Sequence, residues 1–564
     1  MPRSASLPLR HALLVTALAA TACRGDDDAR RQSAGDDAAI GGTIVISQPE
    51  ADAMVPLLAA GEQGKMVTDL MFERLAEIGP ALNTIGDAGF RPRLARRWTW
   101  APDSLSIAFE IDPRARWHDG RPVRARDVQF TVELYHDPAV GSPHSANFEN
   151  IDSVTVRDSL TAVVWYGERR PEQFFDITYN MTPVPEHLLR DVPRAQIAAS
   201  DYARRPVGSG RFRLGRSEPG QRLELVADTT SFLGRPKVDR VVVVPLTDFA
   251  VGPTRLLAGE VDVVDKLRPE NVTEIAKNPN LRIVRYAGSD YAFMQFNLND
   301  RARSRPHPIF GDRALRRALT MALDRPAMVK SALGDLAVPA IGPTTHGSSV
   351  ADTTIPQLPY DTARAARTLD SLGWRDANGD GVRERNGRAL RFTLLVPSIS
   401  KSRMAYGTLI QEQLRQVGVR VDVEPIDFNA FLQREAKRDF DAVLGAWHTD
   451  PSLGSVRQTW TSAGANENGS NYGSYRSPVF DAHVDSALSS YDPAATRRHM
   501  RAAHATMIED AAAVWLYELR PAMGMHKRIR TPALRPDAWW ADLGDWYIPV
   551  GERLPRDRTQ PAAR

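Results

Sequence analysis

The sequence predicts an α/β fold built on mixed sheets, and three features carry that prediction. SLSIAFEID (104–112) and SVTVRDSLTAVVWY (153–166) alternate apolar and polar residues with period two, as half-buried strands do. In GDRALRRALTMALDR, Leu315, Ala318, Leu319, Ala322 and Leu323 recur at i, i+3, i+4, i+7 and i+8, the apolar stripe of a helix. YGTLIQEQLRQVG puts Ile410, Leu414 and Val417 on one helical face and stops at Gly418, a natural left-handed terminator. VRVDVEP follows, with Val419, Val421 and Val423 alternating against Arg420, Asp422 and Glu424. Helix, glycine, strand is an α/β unit.

In chain order, GGTIVISQPEA opens the body with a strand, and RLELVADTT and KVDRVVVVPL continue in the same style. The last is apolar enough for a central strand. Asp324 stands where an N-cap belongs, with Pro326 in the first turn of the helix it opens. AAVWLYEL (512–519) is a short apolar strand near the end. No repeat of 20–50 residues is visible, which excludes solenoids and propellers.

A chain of 564 residues exceeds what one core usually supports, so two or three domains are expected. With 42% hydrophobic and 25% charged residues it has the composition of an ordinary globular protein. Its 72 basic and 69 acidic residues are interspersed, with no basic run and no basic-aromatic interleaving, and this argues against a nucleic-acid partner. The one cysteine, Cys23, follows Arg3, Arg10 and His11, the apolar run ALLVTALAATA (12–22) and the small residues Ala20-Thr21-Ala22. That order is a signal peptide over 1–22, too short to span a bilayer. Residues 23–41 are small and polar, a flexible tether. No other stretch reaches the length of a membrane span, and no disulfide framework exists.

RWHDGRPVRARDV (116–128) invites a catalytic reading of His118–Asp119. Asp119-Gly120 is a turn dipeptide with Pro122 beyond it, and neighbouring side chains of extended chain point to opposite faces. The pair therefore belongs to a strand-turn-helix corner. Asp127 sits in the first turn of the helix, which buries Val128, Val132 and Tyr135.

The segment FEIDPRARWHDGRPVRARDVQFTVEL resembles one typical of family 5 extracellular solute-binding proteins, the peptide- and nickel-binding lipoproteins of ABC importers. Arg124 departs from that pattern, where threonine or serine caps the helix. LARRWTW, PVGSGRFRL (206–214), RLLAGEVDVVD, YAFMQFNLND, ALRRALTMALDRPAMV, LPYDTARAARTLDSLGW and NYGSYRSPVFDAHVDSA continue the likeness in the family's order over residues 42–520. Cys23 likewise resembles a lipobox cysteine, which implies diacylation there and cleavage before it; Ala20 replaces the commoner leucine.

The resemblance implies a two-lobed periplasmic-binding-protein fold with three subdomains, closing about a hinge on a ligand in the cleft. By that analogy 42–87, 206–290 and 515–553 form domain I, 88–205 domain II and 291–514 domain III, with 554–564 a disordered tail. It implies peptide capture for delivery to the permease subunits of an ABC importer, by an exported, lipid-anchored monomer without a cofactor. In AVLGAWHTDPSLGSV the resemblance makes Asp450, three residues after Trp447, the partner of the ligand's α-ammonium. Ala446 before Trp447 and Pro451 after Asp450 depart from the pattern, and a turn residue ahead of proline is the alternative. Trp447, His448, Asn471, Tyr472 and Tyr291 are expected at the cleft, Tyr475 being either there or in packing.

His448 has no second histidine at i+3 or i+4, so no preformed metal site is expected, although a chelated metal is an alternative ligand. In RDANGDGVRERNG, Asp376, Asn378, Asp380 and Gly381 match half of a calcium loop, but Gly387 replaces the bidentate glutamate, so a polar turn is expected. The chain has no H-E-x-x-H, G-x-S-x-G, Walker A or G-x-G-x-x-G motif, and an enzyme is not expected. The alternatives to peptide import are a metal chelate, haem or oligosaccharide ligand, a sensing role, and, last, a hydrolase.

Overall fold

The computed structural model describes residues 40–557 except 247, 249, 301–304 and 467–468. Cys23, the signal-like segment and residues 23–39 of the tether lie outside the described residues. Among the described residues no helix is long and apolar enough to cross a membrane.

Three sheets organise the chain. The first has seven strands in the order Leu281–Arg285, Ala522–His526, Val263–Val264, Thr43–Gln48, Arg240–Pro245, Arg222–Ala227, Phe212–Glu218. Thr43–Gln48 lies parallel to both its neighbours, and Arg240–Pro245 is interior, as its run of valines requires. A four-stranded antiparallel sheet joins Ala95–Trp100, Ser106–Ile111, Thr161–Tyr166 and Ile151–Asp158 in that order. The third runs Ala337–Val338, Ala513–Leu519, Asp290–Phe296, Ala442–His448, Arg391–Pro397, Arg420–Ile426. Here Arg391–Pro397 is parallel to both neighbours, and helix Lys401–Arg415 makes the crossover to Arg420–Ile426. Gly418 takes φ +76° between helix and strand.

Two large cores result. One gathers side chains from Ile44 to Val243 and from Met523 to Ile548, the other from Tyr291 to Tyr517. These are two lobes, and the chain passes between them at 285–290 and again at 519–522. The crossings touch: a Cβ on Gly288 would lie 2.3 Å from Leu519 O, so only glycine fits. Tyr286 N donates to Pro521 O at 3.3 Å across the same junction.

Residues 554–557, expected to begin the tail, are folded instead. Asp557 is buried and accepts from Thr43 N at 2.8 Å and Arg528 Nη1 at 2.6 Å. Burying a carboxylate demands such partners, and they lie far away in sequence. Residues 558–564 are outside the described range.

Candidate functional site

A cavity of about 520 Å³ lies between the lobes. Helix Glu62–Met71 forms one wall: Met66, Val67, Leu70 and Met71 face the core, which leaves Glu62, Lys65 and Asp69 along the opposite face. Tyr135, Tyr179, Lys266, Tyr286, Asp537 and Trp540 complete the first lobe's side, and Asp290, His448, Thr449 and Asp450 face them from the second.

The charges of this lining are mostly matched in place. Asp69 accepts from Lys65 Nζ at 3.2 Å, Arg74 Nη2 at 2.5 Å and Trp540 Nε1 at 3.0 Å. Arg535 forks onto Asp537 at 3.0 and 2.6 Å, and Tyr179 Oη also donates to Asp537, at 3.2 Å. Lys266 pairs with Glu62, and His448 Nδ1 meets Asp290 Oδ1 at 2.9 Å. The hydrogen bond and charge of Asp290 raise the His448 pKa above the ordinary imidazole value, and His448 in turn holds Asp290 down against burial. Burial lowers Lys65 despite Asp69 beside it.

Asp450 differs from the other acids of the lining. Its Oδ1 accepts from Ser452 N at 2.9 Å, closing the turn ahead of the helix at Gly454, and no cation stands within ion-pair distance among the described residues. The turn reading is met by the Ser452 N–H, and the same residue lines the cavity. Enclosure by the two lobes pushes its pKa up, with Ser452 N–H, His448 and Lys65 opposing. The group remains open to water inside the cleft.

The other expected residues divide. His448 lines the cavity, and Trp447, half-buried behind it, stacks on Tyr472 with ring centroids 6.0 Å apart. Asn471 is fully buried; its Nδ2 donates to Trp460 O, Thr461 O and Tyr475 O, and its Oδ1 accepts from Tyr475 N. It staples the loop, and full burial keeps it from a ligand. Tyr291 is 2% exposed and accepts from Trp460 Nε1 at 2.9 Å, while Tyr475 donates to Asp510 at 2.7 Å. Both are packing residues, because the strands and loops that carry them are covered on both faces.

In the polar turn, Asp376 accepts from Gly379 N and Gly381 N, and Asp380 from Val382 N. These oxygens serve their own backbone, and among the described residues no group of three or more His, Cys, Asp or Glu is arranged to hold a metal. His118 and Asp119 diverge. Gly208 N donates to His118 Nδ1 at 3.1 Å, so Nε2 carries the proton toward Gly210 O at 3.0 Å, while Asp119 meets His187 at 2.7 Å. The sequence reading missed Lys65, Lys266, Asp290 and Trp540; the amphipathic stretch EQGKMVTDLM was the one available signal for Lys65.

The chain is 24% identical over 558 residues, 97% of its own length and 99% of the relative's, to the oligopeptide-binding protein AppA of Bacillus subtilis. Its fold is that of the ABC transporter substrate binding protein CtaP from Listeria monocytogenes, with a TM-score of 0.78, 22% identity and coverage of 90% of this chain and 99% of that one. NikZ from Campylobacter jejuni in complex with Ni(L-His) is also similar, at a TM-score of 0.72, 22% identity and the same coverage. Residues 89–469 match the model of the bacterial extracellular solute-binding proteins, family 5. With more than half of its length so matched, built as two lobes around a polar cleft, the chain belongs to that solute-binding family.

Proposed function

We propose that this protein captures peptides in the interlobe cleft and delivers them to an ABC importer, with Asp450 as partner of the peptide's α-ammonium. The observation that carries the reading is the charge pattern: four acids of the lining already have cations, and Asp450 alone is held in place without one. Closing the cleft on a ligand takes this carboxylate out of water, and an ammonium entering with the ligand offsets that cost. Lys65 and Lys266, paired with Asp69 and Glu62, stand on the facing wall. The cavity is of the size that takes small ligands, which suits short peptides. The relationship to a protein named as oligopeptide-binding points the same way.

Export, diacylation of Cys23 and action as a monomer at a membrane surface complete the proposal, supported by the order of charged, apolar and small residues before Cys23. The division into domain I (42–87, 206–290, 515–553), domain II (88–205) and domain III (291–514) is supported in outline: the four-stranded sheet falls inside 88–205 and the seven-stranded sheet draws on all three pieces assigned to domain I, but strand Ala513–Leu519 pairs within the second lobe's sheet, which moves the last boundary from 515 to 519–522.

A chelated metal is the second reading, favoured by one observation. Asp290 holds Nδ1 of His448, a residue of the cavity lining, and a histidine backed by a carboxylate in this way binds metal through its other nitrogen. Native mass spectrometry with denaturing release separates the two readings, since peptides give a ladder of sequenceable masses and a chelate gives one metal-bearing species. If the ligand is a peptide, Asp450→Asn weakens binding by ten-fold or more, as removal of a buried charge partner typically costs about 2–5 kcal/mol. Unchanged affinity by calorimetry removes Asp450 from the site.

A further inference from the structure

The segment Gly167–Glu172 leaves strand Thr161–Tyr166 of the first lobe and touches the second lobe at two separate places. Glu172 Oε2 accepts from Ser452 Oγ at 2.7 Å, and Glu172 Oε1 accepts from Leu453 N at 3.2 Å. The Arg169 guanidinium lies 4.1 Å from the ring centroid of Tyr491, in the turn between helices Pro478–Leu488 and Pro493–Asp510. The segment itself is rigidly rooted in the first lobe. Thr84 Oγ1 donates to Glu172 Oε1 at 2.5 Å, Gly86 N to Pro171 O at 2.8 Å, and Asn150 brackets Glu168 with bonds to its N–H and carbonyl at 3.2 and 3.1 Å. Pro171 stiffens it further by fixing one backbone dihedral.

We infer that this segment is a clasp that holds the lobes closed, with Glu172 as a positioning residue for the loop that carries Asp450. The chain of bonds is short: Glu172 takes the hydroxyl of Ser452, and the backbone N–H of the same Ser452 holds Asp450 Oδ1 at 2.9 Å. Closing the lobes therefore also orients Asp450, so that ligand capture and lobe locking are made at one loop. The contact joins a carboxyl to a hydroxyl and a backbone N–H in a part-buried setting, where hydrogen bonds are stronger than in open water. The inference rests on the solute-binding reading of the cleft but not on the ligand being a peptide.

Small-angle X-ray scattering of the purified full-length protein reads lobe separation with no ligand named. Glu172→Ala and Ser452→Ala cut the same contact from opposite sides, so each is expected to raise the radius of gyration, and the double variant to raise it no further than the larger single. Arg169→Ala, at the second seat, adds to either. Glu172→Gln keeps one acceptor oxygen and falls between wild type and alanine. Circular dichroism checks that each variant is folded, and Ser452→Ala carries the test if Glu172→Ala does not fold. Folded variants that scatter as the wild type does, or singles whose effects simply add, overturn the clasp. A failure of the peptide reading leaves these curves unchanged, and a failure of the clasp leaves the affinity of Asp450→Asn as it was.

Discussion

Asp176, on helix Gln173–Tyr179, has a strongly perturbed carboxyl: burial pushes its pKa up to about 8, the charges of Glu172 and Asp450 add to this, and Arg170 opposes. An unfolded aspartate titrates near about 4. The fold therefore holds this proton more tightly than the unfolded chain does, so it loses stability as pH rises from about 4 to about 8 and levels off above that. Asp176→Asn should melt close to wild type at pH 4 and above it at pH 8.5, with the gap opening across that window in calorimetric scans. A gap that is constant with pH refutes the assignment. None of this was readable in PEQFFDITY, because the shift comes from groups that only folding brings near. Asn471 and Tyr291 teach the same point in reverse. Their motif suggested the cleft, yet the backbone turns both inward, and a buried amide with four hydrogen bonds is explained by the loop alone.

Among the elements, helix Ala125–His136 shows how a local departure is tolerated. Its N-cap is Arg124, whose side chain can only donate and so caps no first-turn N–H; Ala125 N donates instead to Ser159 O at 3.1 Å and Asp127 N to Arg124 O at 3.0 Å. Asp127 supplies the reciprocal half of a capping box by accepting from Arg124 N at 2.8 Å, and it also takes Trp117 Nε1 and Glu186 N. Arg124→Thr restores the missing acceptor and should stabilise the protein by about 1 kcal/mol. An unchanged or lower melting temperature would sink that account. Elements with strong periodicity were legible from sequence, as the helix at Arg313–Met321 and the unit from Lys401 to Ile426 show. The corner at His118 was legible as a turn. Its tight seat was not: a Cβ on Gly208 would lie 1.9 Å from Met71 O, a contact between segments far apart in the chain.

Over the whole molecule, the end of the described chain is tied to its beginning. Arg528, 1% exposed at its side chain, bonds Asp262 Oδ1 and Oδ2 at 3.1 and 2.9 Å, Asp557 Oδ2 at 2.6 Å and Thr43 O at 2.9 Å. Arg556 adds a bond to Asp262 at 2.6 Å. Arg528→Met leaves buried carboxylates short of their cation and should cost the first lobe about 3–5 kcal/mol in urea unfolding. A loss below about 1 kcal/mol would mean that the acids find other partners.

By itself the sequence determined the α/β class, the helices and strands of strong periodicity, and the segment order by which the family is recognised. These depend on spacing along the chain and on composition, which folding does not alter. Tertiary structure decided which polar residues meet. The cleft draws on residues near 65, 179, 266, 290, 448 and 537, and whether a carboxylate there is paired or waiting depends on side chains hundreds of positions away. The clasp at Glu172 belongs to the same class: nothing in ERRPE singles it out until the second lobe closes against it.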